Sequence, residues 1–447
     1  MSTTDAMGDI TPIYPFDIGF ASGLGYQQTG GRVGSPHTEQ FIGQVPVWKG
    51  KLAGSFGKEK NMSRSYSRRN LFQLAGAAAA TIIGSRFSSA QQKTPPSDAA
   101  MRQAMRSFTL TNPEPFPTLQ TRSAVAIVQG DNRRKMIYES LMAIDDQIRP
   151  KLKKKKSVVI KPNNVSTNIQ LAATHADVFR GILDYLEPRF KGPIYIAESS
   201  AGNTMDGFEN FKYTAVASEH KKVKLVDLNE EAKYVVAPLI DFDLHVVPVR
   251  LAARLFDPDA FIISAAILKT HNMAIATLSM KNMVLGAPLH QAPKEAKRWN
   301  DKRRYHVGIR QSLYNFYLTA QKMQPYWGAT VIDGYEGMEG NGPSSGTPVP
   351  HRIALAATDF VAADRVASAT MGIDHNTLGW LKYCGDVGLG QWEISRIDIR
   401  GPQIAAVEKK YRLHADVERM LKWMGPMEEM PPNLGWVTPI GGNVYPT

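Results

Sequence analysis

Lysine and histidine side chains follow an apolar segment that has the composition of a buried strand. Residues 261–267 read FIISAAI, and Lys269 and His271 come directly after them. Residues two apart in an extended chain point the same way, so these two side chains should share one face. A lysine can hold an anion and a histidine can transfer a proton near neutral pH, which predicts an anion clamp beside a general acid–base. The alternative is two surface cations with no shared task.

Other apolar segments are also followed by cationic or small polar residues. Ligands of open α/β sheets bind beyond the carboxyl ends of the strands, so these residues should converge on one site. The predicted catalytic residues are His271, Lys269 and Lys281. The predicted anion-binding residues are Lys161, Asn163, Ser199, Ser200 and Asn282. Together they indicate a small ligand that carries a carboxylate or a phosphate.

A second group of candidates is acidic. Asp333 and Glu339 follow the apolar segment ATVI, and converging carboxylates bind hard divalent cations. The alternative is a glycine-rich turn whose acids only cap and solvate the chain. The cofactor therefore stays open, with a divalent metal as one candidate. The glycine spacing matches neither a dinucleotide fingerprint nor a P-loop.

Continuous apolar segments alternate with helix-like segments from residue 123 onward. This alternation predicts an α/β fold in which a mostly parallel sheet carries helices on both faces. We place this domain at 123–402, preceded by a linker at 91–122. Apolar residues at helical spacing over 403–423 predict a C-terminal docking helix, and a surface strap should complete 403–447.

Charge and cysteine content restrict the function. The formal net charge is +12 and the pI about 9.5, but the basic residues are mostly dispersed. The tight run at 151–156 precedes an apolar strand and is typical of a solvated strand start, so we expect no nucleic-acid partner. Cys384 is the only cysteine, which excludes an intramolecular disulfide and a cysteine-ligated iron–sulfur cluster.

Arg68 and Arg69 precede an apolar run at 71–84 and small residues at 88–90. This pattern resembles a twin-arginine export signal over 62–90, with Met62 as a natural start. We therefore expect a periplasmic protein whose partners include the twin-arginine machinery, with no stable membrane span after cleavage. Residues 1–61 have no periodicity and are interpreted as a disordered extension or a misassigned start. The alternative for 71–84 is a short membrane anchor or a buried helix.

Several motifs, taken in order, resemble the domain of unknown function 362 family. They are Lys161-Pro162-Asn163, Lys269-Thr270-His271, Met280-Lys281-Asn282 with Gly286, Asp333-Gly334, the run from Met338 to Pro343, and Asp359 with Asp364. The resemblance covers about residues 155–400. It implies a family without an assigned biochemical role. Some members are fused to ferredoxin-type modules, for which this chain lacks the cysteines.

A weaker similarity is to the nickel-pincer lactate racemase family. The order of Lys269, His271 and Lys281 loosely parallels the lysines and histidine that surround a metal-bearing cofactor there. This similarity implies a pocket between α/β lobes and is an analogy of architecture.

These observations leave two functions open. The first is an exported enzyme that acts on a small anionic substrate, with or without a metal. The second is an exported carrier or accessory protein that binds a ligand, metal or partner without turnover. An enzyme site should bring His271 within hydrogen-bond reach of a carboxylate in a closed pocket.

Replacing Arg68 and Arg69 with lysine should retain the protein in the cytoplasm. The substitution keeps the charge but removes the planar guanidinium groups that a receptor can recognise. Fractionation followed by immunoblotting measures the outcome, and N-terminal sequencing of the exported wild type should find a mature end near Gln91. Unchanged periplasmic recovery of the double variant would contradict the export signal.

Overall fold

The computed structural model describes residues 119–290 and 299–425, all of which belong to one compact unit, Ser107–Thr447. The predicted extension at 1–61, the signal at 62–90 with Arg68 and Arg69, and the end of the predicted strap lie outside the described residues. Within the described part, no helix is both long and apolar enough to cross a membrane.

Strands make up the centre of the unit. They are β1 Ser123–Gln129, β2 Ser157–Pro162, β3 Ile194–Glu198, β4 Val223–Asp227, β5 Tyr234–Ile240, β6 Val246–Ala252, β7 Ala260–His271, β8 Ile275–Ala276, β9 Trp327–Glu339, β10 Thr347–Val349, β11 Ile353–Ala357 and β12 Ile397–Arg400.

Ten of these strands form one sheet in the order β12-β1-β11-β9-β7-β2-β3-β4, with β10 paired to β9 and β8 to β7. Along this path β11 runs antiparallel to both of its neighbours, and the other pairs are parallel. Strands β5 and β6 form a separate antiparallel ribbon. Strands β9, β7, β2 and β3 therefore present their carboxyl ends at the same edge, which we call the carboxyl edge.

The helices cover the sheet. They are α1 Arg133–Met142, α2 Asp145–Leu152, α3 Ala176–Leu186, α4 Thr204–Asn210, α5 Tyr213–Glu219, α6 Leu228–Glu231, α7 Leu278–Gly286, α8 Ile309–Met323, α9 Phe360–Thr370, α10 Gly379–Asp386, α11 Ile404–Val407 and α12 Val417–Leu421.

Alternate residues of the central strands pack into two hydrophobic cores. Ile263 packs with residues of α1 to α5, whereas its neighbour Ile262 packs with residues of α7 to α10. Both side chains are almost fully buried, as side chains that alternate across a sheet covered on both faces must be. The predicted α/β fold with helices on both faces is confirmed.

Three local predictions differ from the structure. Strand β7 continues through Lys269 to His271, and β9 continues to Glu339, so residues 333–339 are a strand and not a glycine-rich turn. The C-terminal segment packs through the short helices α11 and α12 instead of one continuous helix over 403–423. The apolar spacing reflects buried Val407, Tyr411 and Met420, which need no single helix to reach the core.

Candidate functional site

A buried ion pair joins the ends of β2 and β3. Lys161 Nζ donates to Glu198 Oε2 at 2.7 Å, to Asn282 Oδ1 at 2.9 Å and to Pro162 O at 2.6 Å. The two charged side chains are 2% and 3% exposed. An ammonium group has three hydrogens, so these contacts occupy all of them. Lys161 therefore holds the site together and has no donor left for the anion that the sequence assigned to it.

Lys269 is engaged in the same way at the end of β7. Its Nζ donates to Asn163 Oδ1 at 2.8 Å, Ala172 O at 2.9 Å and Pro343 O at 3.3 Å. These partners are neutral oxygens. Burial, followed by the nearby charge of Lys161, lowers the pKa of Lys269 to about 7. Lys269 thus ties β7 to the loops around the site through its ammonium form, which burial disfavours.

The predicted anion-binding amides form the link between these two lysines. Asn163 Nδ2 donates to Asn282 Oδ1 at 3.2 Å, and Asn282 Nδ2 donates to Ser264 Oγ at 3.1 Å. Ser199 Oγ reaches Pro288 O at 2.9 Å. These residues lie together at the carboxyl edge, as the sequence predicts. Most of their polar atoms, however, form hydrogen bonds with other groups of the protein.

Lys281 is different from the other two predicted lysines. It lies on α7, is 3% exposed, and makes no hydrogen bond or ion pair with any residue in 119–290 or 299–425. Burial, and then the charges of Lys269 and Lys161, hold its pKa well below the usual range. Burial therefore favours the uncharged form of the Lys281 amine, whose nitrogen has no hydrogen-bond partner among the described residues.

His271 is buried at the end of β7 and is held by its own backbone. Its Nδ1 accepts a hydrogen bond from the Met273 N–H at 3.0 Å, which places the hydrogen of the neutral ring on Nε2. Burial, together with Lys281 and Lys269, holds the His271 pKa well below its usual range. The geometry favours a neutral hydrogen-bond donor over the predicted acid–base, and among the described residues no carboxylate contacts the ring.

Lys302 and His306 are members of the cluster that the sequence analysis did not select. The half-buried Lys302 donates to Leu285 O at 3.0 Å, and its carbonyl oxygen lies 3.0 Å from His306 Nδ1. Exposed His306 is within electrostatic range of Lys281, so the cluster approaches solvent here. No apolar strand precedes these residues; the richness of 284–305 in lysine and arginine was the available signal.

Several buried polar atoms near the ends of β2, β3 and β8 have no hydrogen-bond partner. They are Ser200 Oγ, Thr277 Oγ1 and both side-chain polar atoms of Asn164. Buried polar groups are usually paired, and each unpaired one costs about 1–3 kcal/mol. Their position in the segments that follow these strands is typical of a site that a ligand completes.

The structure does not bring the predicted metal ligands together. Asp333 Oδ2 lies 3.1 Å from Arg133 Nε, and Glu339 Oε2 accepts from the Arg412 N–H at 2.9 Å. An irregularity in β9 opposite Ile267–Lys269 lies between the two carboxylates. Within the described ranges, no three or more His, Cys, Asp or Glu side chains are grouped to hold a metal ion. Each acid instead pairs with an arginine from a distant segment.

A separate cleft of about 790 Å³ opens at the opposite, amino edge of the sheet. It is lined by Lys151, Lys154 and Lys155 and by Trp327 and Asp359, among others. None of the candidate residues at the carboxyl edge lines it. The basic run at 151–156, which directly precedes β2, therefore also lines part of this cleft.

The Lys161 side chain fits only because residue 286 is glycine. A β-carbon on Gly286 would lie 1.8 Å from Lys161 Cε and 3.1 Å from Glu198 Oε1. Gly286→Ala should therefore displace the ion pair and lower the free energy of unfolding by about 3–5 kcal/mol, the cost of breaking a buried pair. Urea denaturation measures the change.

Gly130→Ala is the matched control, because the nearest atom to its β-carbon would lie at an ordinary 3.4 Å. It should change stability by no more than about 1 kcal/mol. Equal stabilities for the two variants would show that Lys161 can leave its partners without cost.

Lys269 should make stability rise with pH. Its pKa is about 7 in the folded chain and near 10.4 in the unfolded chain, so between these values the unfolded chain binds more protons. One such proton adds about 1.4 kcal/mol per pH unit to the free energy of unfolding. Lys269→Met should reduce this slope in urea denaturation between about pH 7.5 and 9.5.

Lys154 is exposed, so Lys154→Met removes the same charge but should leave the pH slope equal to that of the wild type. An unchanged slope in Lys269→Met would mean that Lys269 stays charged in the folded protein.

Comparison with known proteins finds a similarity to one family and no activity. No curated protein matches the chain. A crystal structure of a protein from Thermotoga maritima matches with a TM-score of 0.31 and 11% identity, over 47% of this chain and 52% of that one. The chain spans about half the length of that structure, and a likeness at this TM-score supports no argument. Residues 158–369 match the family model described as domain of unknown function (DUF362). This match includes the lysines and His271 of the carboxyl edge, and it supports the resemblance of this region to that family.

Proposed function

We propose that the carboxyl edge of this domain is an enzyme site for a small organic anion, with Lys281 as the reacting group. The observation that carries the proposal is the state of Lys281. It is a buried amine without a partner in the described part of the chain, and other cationic side chains surround it. Strongly perturbed groups at the ends of parallel strands are typical of functional sites.

The charges of the cluster favour an anionic ligand. Lys161, Lys269 and Lys281 are buried and Lys302 is half-buried, yet in the described residues the only ion pair that any of them makes is Lys161 with Glu198. Buried cations require compensating negative charge or lose their protons. A bound carboxylate or phosphate supplies that charge and restores the ammonium form of its neighbours.

The remaining groups have complementary roles in this proposal. The uncharged amine of Lys281 can accept a proton from the ligand, and the Nε2–H of His271 can donate a hydrogen bond to a ligand oxygen. A neutral imidazole that polarises a carbonyl is an established arrangement in proton-transfer enzymes. Lys161, Asn163 and Asn282 then serve to fix the positions of these two groups.

A carrier is the second candidate function. It is favoured by the absence of a carboxylate beside His271 among the described residues, since the sequence analysis expected such a pair in an enzyme. Exchange of the ligand's C–H hydrogens in D₂O separates the two candidates. An enzyme that transfers protons through Lys281 catalyses this exchange, and a carrier only binds the ligand.

We also propose that the protein acts after export by the twin-arginine pathway, on the basis of Arg68, Arg69 and the apolar run that follows. The analogy to nickel-pincer racemases rests on Lys269, His271 and Lys281. The grouping of the described His, Cys, Asp and Glu side chains does not fit a metal site, so no step here uses a metal.

Oxalate, a small dianion, should bind the purified protein with uptake of protons. Bound anion raises the pKa values of the neighbouring lysines, so affinity should fall as pH rises from about 7 to about 9. Isothermal titration calorimetry in HEPES and in Tris measures both effects, because proton uptake makes the observed heat depend on the buffer. Lys281→Met should weaken binding by at least about tenfold.

The matched control is Lys154→Met, which removes one charge at the amino edge and should bind oxalate like the wild type. Binding without proton uptake, or equal loss in both variants, would contradict the proposed site.

A further inference from the structure

We propose that Lys281 forms a Schiff base with the carbonyl carbon of a small anionic carbonyl compound, such as a 2-oxo acid or a phosphorylated ketone. This inference rests on the proposed function and specifies its substrate class. It assigns covalent chemistry to one nitrogen of the cluster.

The hydrogen bonds distinguish Lys281 from the other lysines. Lys161 and Lys269 each donate to three acceptors, and Lys302 donates to Leu285 O. Moving the Lys161 or Lys269 side chain to a substrate would break the hydrogen bonds that hold β2 and β7 in place. Lys281 has no contact of this kind to lose within the described residues. Among these four lysines, Lys281 is therefore the one whose nitrogen can attack a ligand without breaking a described hydrogen bond.

The environment of Lys281 also favours nucleophilic attack. Schiff-base lysines are activated by desolvation and by neighbouring cations, because both favour the uncharged amine. Here the side chain is 3% exposed, and Lys269 and Lys161 are the charges that act on it. Exposed His306 lies within electrostatic range of Lys281.

The neighbouring groups define what the substrate must carry. The cationic cluster requires an anionic group, and the Nε2–H of His271 suits a carbonyl oxygen. Unpaired Ser200 Oγ and Thr277 Oγ1 provide further hydrogen bonds in the segments that follow the strands of the carboxyl edge. A compound with a carbonyl next to a carboxylate or near a phosphate meets these requirements.

The chemical step balances without an oxidant or reductant. The Lys281 nitrogen forms a bond to the carbonyl carbon as the carbon–oxygen π pair moves to oxygen, and a proton passes from nitrogen to that oxygen. The hydroxyl of the resulting carbinolamine takes up one further proton and leaves as water. The product is a protonated imine, which makes the adjacent C–H bond acidic. Water supplies the further proton.

Borohydride trapping tests this inference on the full chain. The protein is incubated separately with pyruvate, 2-oxoglutarate and dihydroxyacetone phosphate in the presence of sodium cyanoborohydride, and intact and peptide masses are measured. At least one probe should add a single reduced group, located at Lys281. Lactate, which has no ketone, should add none. Lys281→Met should lose the label by on the order of tenfold or more, whereas Lys154→Met at the amino edge should retain it.

The outcomes separate this inference from the proposed function. Label on other lysines, or label that Lys281→Met retains, overturns the assignment. Oxalate binding that depends on Lys281, together with no label from any probe, overturns the Schiff base and leaves the anion site standing. Loss of both overturns the two proposals together. Circular dichroism of Lys281→Met establishes that the variant is folded.

Discussion

The ion pair between Lys161 and Glu198 is the interaction on which the carboxyl edge depends. It joins β2 to β3, and the bond from Lys161 Nζ to Asn282 brings α7 onto both strands. Glu198 also accepts the Asn164 and Ser199 N–H groups, so its negative charge orders the loops beyond both strands. A buried pair of this kind adds little net stability compared with apolar residues, but it fixes one arrangement because every other arrangement leaves a buried charge unpaired.

That fixed arrangement leaves the cluster short of negative charge. Helix α7 carries Asn282 into the ion-pair network, and the preceding residue, Lys281, is thereby held in a buried position without a counterion in the described structure. The protein gives up stability there, since desolvated lysines and unpaired polar groups both disfavour the folded state. Local instability of this kind persists where the surrounding structure compels it, and it is concentrated at functional sites.

The sequence predicts which lysines lie together, but it does not predict which of them have hydrogen-bond partners. Apolar segments followed by polar residues predicted that Lys161, Lys269 and Lys281 converge, because strand direction and the carboxyl-edge rule depend on local pattern. Which lysine lacks partners depends on acceptors from distant segments, such as Ala172 O and Pro343 O, that no local pattern reveals. The predicted metal pair failed for the same reason, since arginines from remote segments meet both carboxylates. The β5–β6 ribbon was not predicted, because the alternation of apolar and helix-like segments predicts one sheet and no separate ribbon.

Burial determines much of the state of His271 and Lys281. In water a histidine is the natural proton acceptor near pH 7 and a lysine is a fixed cation. In this cluster the Met273 N–H occupies Nδ1 of His271, which leaves the ring a donor at Nε2. Desolvation and neighbouring lysines meanwhile lower the pKa of Lys281 and favour its uncharged form. Residue types alone therefore do not predict these two states, which depend on backbone contacts and on cationic neighbours that the fold brings together.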